Sequence, residues 1–123
     1  MSPLLHHHGY QQLLTQLLAL QTLLREESGA KPALQATLQT VKQAYQSEIL
    51  PLPTPALEPE ALSRWQSVQT ELNRILHLLQ TDAAFLQAAR QPQAAQQRRD
   101  RFQQRLEQAI AGCEAAIALT APA

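Results

Sequence analysis

Apolar residues recur along this chain at helical intervals in four separate runs. In the first, Tyr10, Leu13, Leu17, Leu20 and Leu24 fall three or four positions apart, the seam of a helix packed on one side. Leu14 and Leu18 widen the stripe, so this helix is expected to touch two neighbours. It begins near residue 4 or 10 and runs to about Glu27, where Ser28-Gly29 supplies a stop that glycine makes without a Cβ penalty. In the second run, Leu34, Leu38, Val41, Tyr45 and Ile49 predict a helix opening near Pro32 and ending at Leu50. Pro51, Pro53, Pro55 and Pro59 follow at once, so residues 51–59 read as a stiff, extended connector.

The third run is the longest, from about Glu60 to Arg90. Its seam is Trp65, Val68, Leu72, Ile75, Leu79 and Leu86, with Asp82 in the single polar slot and Leu62, Leu76 and Phe85 on the flanks. Gln91-Pro92 makes the turn, and Phe102, Leu106, Ala109, Cys113 and Ala116 carry a fourth helix to about Leu119, widened by Ile110 and Ile117. Gly112 costs that helix about 1 kcal/mol relative to alanine, which suggests close approach of a neighbour. At 1.5 Å per residue the third helix spans roughly 46 Å and the second roughly 28 Å. The expected fold is therefore all-α: a four-helix antiparallel bundle in one domain, 1–123, with residues 1–9 a flexible tail. Its helix 3–helix 4 hairpin should project beyond the two shorter helices from about Ala83 to Gln103.

Composition agrees with helix and narrows the function. Leucine, alanine and glutamine make up about half of the chain, against two Phe, two Tyr and one Trp. Ten basic and ten acidic residues cancel, which argues against nucleic acid as a partner. A single cysteine excludes an internal disulfide and suits a reducing compartment. The first nine residues lack the pattern of a secretory signal, and the apolar run Leu13–Leu24 is too short to span a bilayer. A cytoplasmic location follows as the expectation.

No catalytic constellation is visible. There is no Gly-rich phosphate loop, Cys-x-x-Cys, His-Glu-x-x-His or Gly-x-Ser-x-Gly, and Arg74 stands three residues before His77 where a di-iron bundle needs glutamate. No enzyme activity, cofactor or metal is expected. His6, His7 and His8 read as part of a solvated tail rather than a metal site, His77 as a surface residue, and Cys113 as a small core hydrophobe. The cluster that asks for a role is Arg90, Arg98, Arg99, Arg101 and Arg105, opposed locally by Asp100 alone. Arg98, Arg101 and Arg105 share one helical face, and arginine makes planar, bidentate contacts with carboxylates. With apolar Phe85 and Leu86 nearby, the candidate partner-binding set is Phe85, Leu86, Arg90, Arg98, Arg101 and Arg105; the alternative is a solvated arginine face.

One segment is familiar. Ser67-Val-Gln-Thr-Glu71 and Leu78-Leu-Gln-Thr-Asp-Ala-Ala-Phe-Leu-Gln-Ala-Ala-Arg-Gln-Pro92 resemble the cyanobacterial heterocyst frequency control protein PatD family, as do the length, Tyr10-Gln-Gln-Leu13 and the late single cysteine. The resemblance implies a small, helical, non-enzymatic regulator of heterocyst differentiation or cell division, with the acidic division protein FtsZ as partner. It carries over no contact residues. The competing expectation, from the residues alone, is a self-assembling structural helical protein, a homodimer or higher oligomer with no FtsZ-related role.

Overall fold

The computed structural model describes residues 3–26 and 30–122. Among them every regular element is helical: α1 (Leu4–Arg25), α2 (Ala30–Ala44, continued by a π-helical turn Tyr45–Ile49), α3 (Pro59–Ala88) and α4 (Pro92–Leu119). Proline opens two of these helices. Pro59 and Pro92 occupy first-turn positions where no N–H is needed, and the residues before them, Glu58 and Gln91, are held extended. Leu62 and Ala95 then donate back to the Glu58 and Gln91 carbonyls at 2.8 and 2.9 Å to close the first turns. The Ser28-Gly29 stop lies outside the described residues.

The π turn has a cause in the spacing. Val41, Tyr45 and Ile49 advance by two successive fours, which in a regular α-helix overshoots a full turn twice and drifts off the seam. Widening the turn, with Leu50 N–H donating to the Tyr45 carbonyl at 3.0 Å, returns Tyr45 and Ile49 to the buried side. Gly9 of α1 faces this turn: a Cβ there would stand 3.0 Å from Ile49 Cγ1, so the approach is one that glycine permits.

The core gathers the seam residues of all four helices, with Tyr10, Leu17, Val41, Leu72, Leu79, Phe102 and Leu106 fully enclosed. Contacts join α1 to α2 and α4, and α3 to α2 and α4. In the hydrogen-bonded pairs of two of these interfaces, α1–α4 and α2–α3, the residue numbers run in opposite senses. His7 meets Ile117 while Arg99 meets Leu24; Gln35 meets Gln87 while Tyr45 meets Gln69. Leu14 packs on this core, but Leu18, expected beside it, is exposed.

Two expectations need correction. Residues 4–9 are not a tail but the first turns of α1, and His6 is 1 % exposed. His6 lies four residues before Tyr10, so it extends the seam by one more turn. The free part of the α3–α4 hairpin is also shorter than Ala83 to Gln103. Ala83, Leu86 and Phe102 are buried, and the ends of α1 and α2 reach Arg99 and Gln87. No helix among the described residues is long and apolar enough to cross a membrane.

Candidate functional site

The candidate residues divide into those the fold consumes and those it leaves free. Leu86 is 2 % exposed and belongs to the core, so it leaves the candidate surface. Arg105 Nε donates to Asp82 Oδ2 at 2.8 Å, and Asp82 is 5 % exposed. The polar slot in the α3 seam is thus filled by a carboxylate whose partner comes from α4, which removes Arg105 from the free cations. Arg99 Nη1 donates to the Leu24 carbonyl at 2.8 Å, satisfying an acceptor that the end of α1 leaves open and placing a cation at the negative end of that helix.

Phe85, Arg90, Arg98 and Arg101 remain. Phe85 is 48 % exposed, and the Arg98 guanidinium lies over its ring, 4.4 Å from the centroid. The cation shields the apolar face from water and is itself held out from the helix. Arg90 and Arg101 are exposed, and no carboxylate among the described residues lies within ion-pair distance of Arg90, Arg98 or Arg101. Nearby Asp100 accepts from Gln96 at 2.9 Å and lines an open groove between α1 and α4 with Arg25 and Arg99. The hairpin end therefore presents one half-exposed aromatic ring under Arg98, with Arg90 in the α3–α4 turn and Arg101 on α4 exposed and without a carboxylate partner among the described residues.

The opposite end turns its polar groups inward. His6 Nε2–H donates to the Pro53 carbonyl at 2.7 Å and its ring meets Trp65 edge-on at 5.3 Å. His7 Nδ1–H donates to the Ile117 carbonyl at 3.1 Å, beside Thr120. Tyr10 Oη donates to Gln69 Oε1, and Tyr45 Oη reaches the Gln69 carbonyl at 3.5 Å. Burial drives the Tyr10 phenol well above its ordinary range, with Tyr45 adding to it, and pushes Tyr45 up to about 12. Burial likewise pushes the Cys113 thiol up to about 12, with Glu114 adding to it, and the sulfur packs in the core as a thiol.

Sequence reasoning missed this clasp. The continued seam spacing at His6 was a usable signal. Gln69 offered none, being one of many glutamines on a helical face. His77 is exposed as expected. Among the described residues no three His, Cys, Asp or Glu side chains group as metal ligands. Comparison with protein-family models, curated proteins and solved structures found no match to this chain.

Proposed function

We propose that this chain is a small cytoplasmic, non-enzymatic regulator that acts by binding another protein through the α3–α4 end of an antiparallel bundle. One observation carries the reading: Phe85 stands half exposed under Arg98, with Arg90 and Arg101 lacking any carboxylate partner among the described residues. An exposed aromatic side chain beside arginine is a form that the energetic centre of a protein contact takes. The aromatic ring supplies durable affinity, while the arginines steer an acidic partner and set the salt dependence.

The PatD resemblance supports FtsZ as that partner and a role in cell division or heterocyst differentiation. The test is binding of purified FtsZ by the parent and two variants. Arg98→Glu with Arg101→Glu should weaken binding without lowering the melting temperature, and added salt should mimic the change. Phe85→Ala should weaken binding at every salt concentration. Parent-like binding by both variants, or no binding by the parent, would overturn the reading.

A further inference from the structure

We infer that the outer face of the α3–α4 pair is a groove for one amphipathic helix of a partner, whose acidic end meets Arg98 and Arg101. The inference rests on the hairpin-end reading above and extends it along the molecule.

The groove runs along the same two helices as that end. On α4, positions 98, 101, 105, 108, 112, 115 and 119 alternate steps of three and four and so share one face. On α3, Arg64, Glu71, Leu78 and Phe85 repeat every seven residues. Contacts between the two helices hold them in register along their length. Arg98 lies over Phe85, Arg105 binds Asp82, and Gly112 faces Leu72. Away from Arg98 and Arg101 the groove is lined by Val68, Leu72, Ile75, Ala111 and Gly112 together with polar Ser67, Glu71, Arg74 and Gln108, and it continues past Ala115 to Leu119. Neither α1 nor α2 contributes to this lining.

Its shape selects a helix. Arg98 to Leu119 spans roughly 32 Å at helical rise, room for a partner helix of about 20 residues. Both walls are helices whose backbone groups are already paired, so an extended chain finds no strand edge to join, whereas a helix brings its own hydrogen bonds. Small side chains at 111, 112, 115 and 118 let a third backbone approach closely.

Its charge selects an acidic occupant and disfavours a second copy. Elsewhere on the face the charges are already matched: Glu60 binds Arg64 at 3.0 Å and Glu71 binds Arg74 through Nε at 3.1 Å. Arg98 and Arg101 are left in excess. Packing two copies in parallel brings these arginines together. Packing them in opposite senses lays them over Ala115, Ala118 and the occupied Arg64–Glu60 pair. The other α4 carboxylates, Glu107 and Glu114, fall outside the shared register.

The test is selection of binders from a random library of roughly 20-residue peptides, long enough to fill the groove at helical rise, against the full chain. Selected peptides should gain helicity on binding by circular dichroism, carry carboxylates toward one end, and lose about tenfold in affinity to Ala115→Trp, some 1.4 kcal/mol. Ala115 is exposed, so the variant keeps its fold; Ala118→Trp, also at an exposed site, provides an independent block. Binders that ignore both tryptophans yet weaken with Arg98→Glu and Arg101→Glu would overturn the groove and leave the hairpin end standing. Binders that ignore the arginines as well would remove both. A parent that sediments as a dimer and is split by Ala115→Trp would give the groove to a second copy and overturn the proposed occupant.

Discussion

The two ends of this bundle use polar residues in opposite ways. Around His6, Tyr10, Tyr45 and Gln69 polar groups point inward, and His6 Nε2, His7 Nδ1, Tyr10 Oη and Tyr45 Oη bond to backbone or to Gln69, tying α1 to the connector, α3 and α4. Around Phe85 two arginines, Arg90 and Arg101, are exposed, and the half-exposed ring lies under the Arg98 guanidinium. Polar groups are consumed by the fold at one end and left exposed at the other. The difference shows that a neutral chain still carries a local field, because the compensating carboxylates are placed elsewhere.

The change that should break both ends at once is Leu72→Asp. Leu72 is fully buried midway along α3 against Gly112, and an unpaired carboxylate there costs several kcal/mol. Loss of the helical signal at room temperature, read by circular dichroism, is the expected outcome. His77→Ala, five residues along the same helix but exposed, should stay within about 0.5 kcal/mol of the parent. The reverse ranking would mean that the α3 register is wrong.

That register was legible because a buried stripe leaves a period in the sequence. Every seam residue read from the spacing is buried except Val68, which is partly so, and even the polar slot at Asp82 was visible. What stayed hidden depends on partners distant in sequence. Arg105 looked free because its carboxylate lies 23 residues away on another helix, and Arg99 because its acceptor is a backbone carbonyl 75 residues away. Of the six candidate contact residues the structure leaves four at the surface. A histidine triplet read as solvated because histidine is polar, although His6 sat on the apolar period.

High pH should attack the closed end first. Tyr45 ordinarily ionises near 10.0 and Cys113 near 9.0, and burial pushes both up to about 12 in the fold. The folded state therefore holds protons that the unfolded chain releases. Their contribution is whole below about pH 9 and is lost progressively as pH rises toward 12. Helix content and tyrosinate absorbance at 295 nm, followed together, should change in one cooperative step. Tyrosinate appearing near pH 10 in a chain that keeps its helices would show the phenols to be solvated.

The arginine end offers a smaller effect. Arg105→Ala strips Asp82 of its partner, and because the Arg105 side chain is 26 % exposed we expect about 2 kcal/mol, below the ~3–5 of a fully buried pair. Asp82→Leu combined with Arg105→Leu should recover most of it, since two apolar residues leave no charge behind. Urea denaturation of the three variants measures this. A parent-like Arg105→Ala would mean that Asp82 is hydrated in solution and that the pair ties α3 to α4 only loosely.

The smallest expected change has the opposite sign and compares two glycines. Each sits inside a helix, where alanine is intrinsically better by about 1 kcal/mol because it restricts the unfolded chain and shields the backbone. At Gly112 the added Cβ would stand 3.6 Å from Leu72 Cδ1, an ordinary contact, so the close approach expected from the sequence does not require glycine there. Gly112→Ala should therefore raise stability by about 0.5–1 kcal/mol, a few degrees in the melting temperature. At Gly9 the same methyl would meet Ile49 Cγ1 at 3.0 Å, and Ile49 is enclosed by the π turn with little room to yield. Gly9→Ala should fall short of Gly112→Ala by most of that gain. Equal gains at both positions would show that α1 is free to move away from the π turn, and the closed end would then be no tighter than the open face.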